Sequence, residues 1–312
     1  MLLFASGRTD IPAFYSEWFM NRLREGFVDV RNPYYSEQVA RYKLTKDVID
    51  CFIFCTKNPA PMLPYLEELK AKTTGLYFHV TITPYEKDVE PNVPEKDLVM
   101  DSFIELSRAL GKDCVCWRYD PIFINEKYPV SSHIKAFRSM AEKLSGYTDR
   151  CIISFIDLYK KTLKNFPGVK EVSESDQKFL ASSLSRIAFE NGIRIESCAE
   201  KLDLTACGVE AGQCVSRTVI EKAAGIHLIQ NTGRQNLRKG CACLPTTDIG
   251  AYNSCPHLCK YCYANYDAKL VEKNFNLHNP SSSFLLGSSK ESDIFHNAKQ
   301  ESMKDEQLFL FE

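Results

Sequence analysis

Cys255-Pro256-His257-Leu258-Cys259-Lys260-Tyr261-Cys262 sets three thiols in a C-x3-C-x2-C run, followed by Tyr263-Ala264. Thiols this close do not make a disulfide framework: a pair would be strained and the third left over. Thiolates select soft centres, namely zinc, Cu(I) or iron–sulfur clusters. Zinc favours four protein ligands, usually in separated C-x2-C pairs, and the local run offers three. A 4Fe–4S cluster on three cysteines keeps one iron unfilled for chemistry. A structural zinc site and inert thiols are the competing readings.

Five more cysteines precede the run: Cys198, Cys207, Cys214, Cys241 and Cys243. Four thiolates could close a second, fully ligated 4Fe–4S cluster or a structural zinc site, against the plain alternative of buried thiols. Cys51, Cys55, Cys114, Cys116 and Cys151 lie inside apolar runs and read as small core residues. The six histidines show no i, i+4 pair and no H-E-x-x-H, which argues against a histidine metalloenzyme. His257 is expected near the metal or on the surface. No G-x-S-x-G elbow, Walker loop or G-x-G-x-x-G is present, so hydrolase and nucleotide-fold signatures are missing.

The chain has 312 residues, enough for one large domain or two small ones. Its 44% hydrophobic and 25% charged content is that of an ordinary globule. A net charge of −1 gives no general pull toward nucleic acid or anionic membrane, so any DNA affinity would need a local basic groove. No apolar run reaches membrane-span length, and Arg8 and Asp10 interrupt the apolar start, so no signal peptide is expected. Thirteen cysteines in such a chain argue for a reducing cytoplasm and metal sites.

Strands and helices alternate through the first two-thirds. Short strands are expected at Leu2–Ala5, Cys51–Cys55, Leu76–Ile82, Cys114–Trp117, Cys151–Phe155 and Ile193–Glu196. The second of these, Cys51-Phe52-Ile53-Phe54-Cys55, is apolar throughout, as in a strand buried on both faces. Helices are expected from Pro12 to Gly26, up to Lys72, from Pro94 to Leu110, from Ser131 or Ser132 to Gly146, and from Ser175 to Asn191. His227-Leu228-Ile229 reads as a further short strand. This order requires parallel pairing, hence an α/β fold. A partial TIM-like β/α barrel is favoured, with a doubly wound open sheet as runner-up. Residues 1–235 read as the barrel core, 236–268 as a cysteine-rich segment closing it, and 269–312 as a polar, partly ordered arm. In a barrel the strand ends face the active site, so Lys57, Asn58, Tyr85, Arg118, Asp120, Asp157, Lys160 and Glu196 are candidates for lining it. Arg118, Asp120 and Asp157 are the catalytic candidates, since an arginine can fork onto a carboxylate; a pair that only braces a loop is the alternative.

The C-x3-C-x2-C spacing, with an aromatic before the third cysteine, resembles the signature of radical S-adenosylmethionine (SAM) enzymes. That resemblance implies a 4Fe–4S cluster whose open iron chelates SAM, a reducing electron donor, a 5′-deoxyadenosyl radical, and Tyr261 near the adenine. Arg8-Thr9-Asp10-Ile11-Pro12-Ala13, Thr56-Lys57-Asn58-Pro59, Trp117-Arg118-Tyr119-Asp120-Pro121 and Asp248-Ile249-Gly250-Ala251-Tyr252-Asn253 make the chain similar to the bacterial family grouped as domain of unknown function 1848. In that pattern the equivalents of Cys198, Cys214, Cys241 and Cys243 recur, whereas Cys207 does not. Radical SAM enzymes carry their cysteine loop after the first barrel strand, yet here it lies beyond residue 250. A circular permutation is therefore expected, with Thr247–Tyr252 feeding the loop and Leu2–Ala5 beside it. Ser6, Gly7, Thr9 and Asp10 would then occupy the place that binds the amino end of SAM; a helix cap with a surface ion pair is the plainer reading of Arg8-Thr9-Asp10.

The final Gln307-Leu308-Phe309-Leu310-Phe311 is similar to the peptide by which bacterial repair proteins dock on the DNA sliding clamp. Leu and Phe anchors on an arm suit an apolar groove, and folding back on the chain's own surface is the alternative. Clamp docking would place the substrate near DNA, as in spore photoproduct lyase, by analogy alone. The competing non-enzymatic reading is an iron–sulfur- or zinc-stabilised protein that binds partners through this arm.

Overall fold

The computed structural model describes residues 1–229 and 241–305. The chain opens with β1 (Leu2–Phe4), two helical segments, α1 (Ile11–Phe14) and α2 (Ser16–Glu25), and a hairpin of β2 (Phe27–Arg31) and β3 (Gln38–Lys43). Strand–helix units follow: β4 (Cys51–Thr56) with α3 (Leu66–Lys72), β5 (Leu76–Thr81) with α4 (Lys96–Leu110), and β6 (Val115–Ile122) with α5 (Val130–Leu144). β7 (Arg150–Phe155) leads to α6 (Lys160–Asn165) and α7 (Glu174–Glu190). Then come β8 (Arg194–Cys198), β9 (Glu210–Gly212), α8 (Arg217–Ala224), β10 (Thr246–Asp248), α9 (Ala268–Phe275) and β11 (Ile294–Asn297).

Eight strands form one parallel sheet in the order β10-β1-β4-β5-β6-β7-β8-β9. The strands are apolar on both faces because both faces are covered, and successive residues divide cleanly between them. Phe52, Phe54, Phe78, Val80, Trp117, Ile153 and Ile195 face a core shared with α2, α3, α4, α5 and α7. Cys51, Ile53, Tyr77, Cys116, Ile152 and Cys198 face the other way, onto Cys214, Val215, Ile220, Ile226, Leu228, Cys243 and Leu244. The long helices therefore lie on one side of the sheet, and the segment around α8 fills the opposite face. Fully burying a Phe or Leu is worth about 1.5–3 kcal/mol, so this two-sided burial fixes the register of each strand.

Three expectations need correction. The first helix breaks at Tyr15, whose backbone leaves the helical region at φ −133° and ψ 21°, so α1 and α2 are separate; Gly26, at φ +79°, ends α2. Residues 27–43 carry two strands that apolar runs do not reveal, because Asp29, Arg31, Arg41 and Lys43 interrupt the apolar positions. The tail, expected as a polar, partly ordered arm, is held along the fold as far as residue 305. β11 pairs in parallel with β3, making a three-stranded sheet with β2, while the Ser282 carbonyl accepts from Trp18 Nε1 at 2.9 Å and the Pro280 carbonyl from Asn21 Nδ2 at 3.1 Å. A polar segment needs no core of its own when its backbone supplies bonds to an existing one. Leu228 makes a single bridge, to Lys304. Gln307–Phe311 lies outside the described residues. Among those described, no helix is long and apolar enough to cross a membrane.

Candidate metal centre

The cysteine loop starts at the sheet's edge. β10 lies beside β1, with Leu2 opposite Thr246 and Phe4 opposite Asp248. Positive φ at Asn253 (55°), just before Cys255, and at Leu258 (56°), between Cys255 and Cys259, lets the backbone double back as it enters and crosses the loop. The loop then rests on the C-terminal ends of several strands. His257 Nε2 meets Asp10 Oδ2 at 3.0 Å in the turn after β1. Beyond β5, Lys260 N donates to the Val89 carbonyl at 3.0 Å, and Asn92 Nδ2 to the Pro256 carbonyl at 2.7 Å. Beyond β7, Thr162 Oγ1 donates to the Tyr261 carbonyl at 3.3 Å. Cys259 is buried, and Cys255 and Cys262 are partly exposed. Burial pushes all three thiols up from their ordinary range; Asp10 reinforces this at Cys255, and the Lys57 charge opposes it at Cys259. Such thiols stay protonated unless a cationic centre claims them, so the donor set suits a metal cluster.

Beneath Cys259 lies a knot centred on Glu90. Its carboxylate accepts from Lys57 Nζ at 2.8 Å and Thr83 Oγ1 at 2.7 Å, and also from Lys96 Nζ and the Tyr261 hydroxyl. Burial resists its ionisation, yet the Lys57 and Lys96 charges bring its pKa from the usual carboxylate range to about 2. Lys57 Nζ also lies 5.4 Å from the centroid of the Tyr261 ring. One carboxylate between two ammonium groups leaves net positive charge beside the loop, which favours thiolates.

The family model described as Domain of unknown function (DUF1848) matches residues 2–264, from β1 to just past Cys262. The chain belongs to this family. Comparison with curated proteins and with solved structures finds no match. The DUF1848 match thus spans the whole eight-stranded sheet and the cysteine loop.

Within this DUF1848 chain, Arg118 and Asp120 are brought together, though inside β6, which runs on to Ile122, and not at a strand end. Arg118 Nη2 donates to Asp120, which also accepts from Ser154 Oγ, while Arg118 Nη1 reaches Cys214 Sγ at 3.5 Å. The buried Nε of Arg118 has no hydrogen-bond partner among the described residues. Cys55, half-buried, sits on this side too, near Thr81 and within the field of Arg118. Asp157 lies apart, in the loop after β7, accepting from Tyr159 Oη at 3.2 Å. Lys160 is exposed at the start of α6. Asn58 closes its own turn, with its N–H donating to Thr56 Oγ1 at 2.9 Å. Tyr85 is fully buried in an aromatic cluster, its hydroxyl donating to the Pro121 carbonyl at 2.7 Å.

Glu196 is a correction. It is not at the end of its strand, because β8 runs on to Cys198, and it forms a buried bidentate pair with Arg150 at 2.8 and 2.7 Å. The residues after β1 also divide. Asp10 caps α1 through Ala13 N at 3.0 Å and accepts from Lys57 N at 2.8 Å as well as meeting His257, so its carboxylate is a brace. Gly7 is there for room: a Cβ would sit 2.4 Å from Asp248 Oδ2. Thr9 is buried beside Tyr15, and Ser6 Oγ is buried with no hydrogen-bond partner among the described residues. Arg8 pairs with Asp248 at 3.2 Å.

Cys198, Cys214 and Cys243 converge on the face opposite the helices. The Sγ atoms of Cys198 and Cys214 are 2.6 Å apart, and Cys243 approaches both. Cys241 packs against the same cluster, whereas Cys207 belongs to the other face. As they stand, no group of three or more His, Cys, Asp or Glu among the described residues is arranged around a single ion position. Sequence reasoning missed Glu90, Lys96, Ser154 and His79. None stands at a motif spacing, and only the fold brings them to these sites.

Proposed function

We propose that this protein is a radical SAM enzyme in which Cys255, Cys259 and Cys262 hold a 4Fe–4S cluster. The observation that carries this reading is the seat of the cysteine loop, which leaves an edge strand and folds over the C-terminal ends of β1, β5 and β7. Sheets of this kind gather reactive groups at that end. Within this sheet, strand order follows chain order from β1 through β4 to β9 with the long helices on one side, which supports the reading as a partial barrel. β10 comes last of these eight strands in the chain yet lies first in the sheet, the order a circular permutation would give.

Bound at these thiols, the cluster would supply the electron that splits the SAM sulfonium and gives a 5′-deoxyadenosyl radical. The chain's own residues hold the site in place. His257–Asp10 and Glu90–Tyr261 fix the loop at two points, and Lys57 offsets thiolate charge near Cys259. Ser6 and Thr9 each offer a buried hydroxyl without a hydrogen-bond partner among the described residues, so we assign cofactor contact in the turn after β1 to these two and not to the saturated Asp10. Arg118, with Asp120 and Ser154 bracing it, supplies a cation for a carboxylate of the cofactor or substrate. Cys198, Cys214 and Cys243, with Cys241 nearby, form a second metal site, either cluster or zinc.

The test is anaerobic reconstitution with iron and sulfide, followed by dithionite and SAM. 5′-Deoxyadenosine should form in the wild-type chain and be lost in Cys259→Ala together with about four irons per chain. Full iron loading without cofactor cleavage, or a lone zinc on these three cysteines, would sink the reading.

A further inference from the structure

His79 stands in the middle of β5, fully buried, on the face that carries the second thiol group. It lies between Phe4 and Tyr77, with ring centroids 6.4 and 4.9 Å away. Neither ring nitrogen makes a hydrogen bond of ordinary geometry among the described residues, though the Cys198 thiol and the Cys214 backbone lie near enough to favour its charged form. Both nitrogens are buried without a hydrogen-bond partner among the described residues, which leaves the ring able to offer a lone pair to a bound group. A buried imidazole with two unmet nitrogens is costly, and such groups call for a bound partner.

We propose that His79 is the fourth ligand, with Cys198, Cys214 and Cys243, of a site for a single zinc-class divalent ion. The proposal rests on the second metal site named above, and it does not depend on the cluster at Cys255, Cys259 and Cys262. Three thiolates and one neutral imidazole are a donor set that tetrahedral zinc takes. The crowding of the thiols favours one ion over a cube of four irons, which would hold its cysteine sulfurs much further apart. With zinc–sulfur bonds of about 2.3 Å, two thiolates on one tetrahedral ion lie roughly 3.8 Å apart, so the 2.6 Å pair opens by about 1 Å on binding. Charge balances as well. Three thiolates on a divalent ion leave one negative charge, and Arg118 Nη1 stands 3.5 Å from Cys214 Sγ to meet it. The ion would tie β5, β8 and the segments around Cys214 and Cys243 together. Its role is to hold the floor of the site.

The experiment uses the full chain, with zinc and iron counted separately and cobalt(II) as the optical probe. Expected is one zinc per chain beyond the iron, retained in Cys259→Ala, and a tetrahedral cobalt spectrum with thiolate charge-transfer bands. His79→Gln should weaken zinc by about 100-fold or more, since even losing a group that merely supports a ligand costs about 10–100-fold. His79→Cys should keep the ion and shift the cobalt bands toward a four-thiolate site, which guards against a folding defect in His79→Gln. Zinc lost in Cys241→Ser but unchanged in His79→Gln would overturn the assignment and give the fourth place to Cys241. About eight irons and no zinc would overturn the single-ion site, as would a chain with all these thiols free to alkylate or with Cys198 and Cys214 recovered as a disulfide. Loss of iron alone would bear only on the cluster reading.

Discussion

His257 and Asp10 meet at 3.0 Å across 247 positions of chain, tying the cysteine loop to the first turn of the sheet. Asp10 also accepts from Ala13 N and Lys57 N, so three donors depend on one carboxylate. Asp10→Ala should therefore cost more than the roughly 1 kcal/mol of a lost helix cap, about 2–4 kcal/mol in all, because buried donors are left unpaired. Asp10→Asn keeps an acceptor for the cap and should cost about half as much. Urea unfolding with an unchanged m-value would measure both. A loss below about 1 kcal/mol for Asp10→Ala would show that the loop is anchored elsewhere.

Glu90 makes stability depend on acid. Burial alone would raise its pKa, but Lys57 and Lys96 bring it to about 2, below its value in the unfolded chain. A depressed folded-state pKa gives stability that is complete above the unfolded value and is lost as pH falls toward the folded one. The contribution, on the order of 3 kcal/mol, should thus disappear between about pH 5 and pH 2. Glu90→Gln should flatten that part of the stability curve and destabilise the chain at pH 7, since two lysines lose their shared anion. Denaturation midpoints from pH 7 to 3 provide the check, and equal acid sensitivity in wild type and variant would refute the assignment.

Much of this architecture can be read from apolar runs. Phe52-Ile53-Phe54 and Leu76–Thr81 announce two-sided strands because both faces are in fact covered. β2 and β3 escape notice because Asp29, Arg31, Arg41 and Lys43 break up the apolar alternation. The three cysteines are legible from spacing alone, since a loop carries all of them. Glu90 and His79 are not: a lone acid in a Pro-rich loop and a lone histidine in a strand gain meaning only from neighbours far along the chain. Glu196 misleads for a related reason, because a charged residue near the end of an apolar run suggests an exposed strand end, while Arg150 makes its burial tolerable.

Gly7→Ala should test how tightly the turn after β1 is packed. The new methyl would lie 2.4 Å from Asp248 Oδ2 and 3.1 Å from its Cγ, while the Gly7 carbonyl accepts from Tyr263 Oη. Asp248 cannot swing away freely, because Arg8 Nε holds it at 3.2 Å and Gly250 N at 2.6 Å. Overpacking of this kind costs about 1–3 kcal/mol. Thermal unfolding should register it, and Asp248→Ala in the same chain should relieve part of the clash while losing the Arg8 pair. An unchanged midpoint in Gly7→Ala would mean that the turn yields without strain.

Arg150 holds the floor of the sheet to the segment that carries Cys214. Its guanidinium donates to both Glu196 oxygens, to Tyr77 Oη at 2.9 Å and to the Cys214 carbonyl at 3.4 Å. Arg150→Met strands the Glu196 charge in the interior and should cost about 3–5 kcal/mol. Arg150→Met/Glu196→Met removes both charges, and a well-packed apolar replacement of a buried pair is often neutral, so the double variant should be clearly more stable than the single one. Recovery will not be complete, because Tyr77 and the Gln213 and Cys214 carbonyls also lose their donor. Chemical denaturation of the two single variants and the double one yields the coupling energy. A coupling near zero would mean that the pair is solvated and that the Cys214 segment is held by its apolar contacts alone.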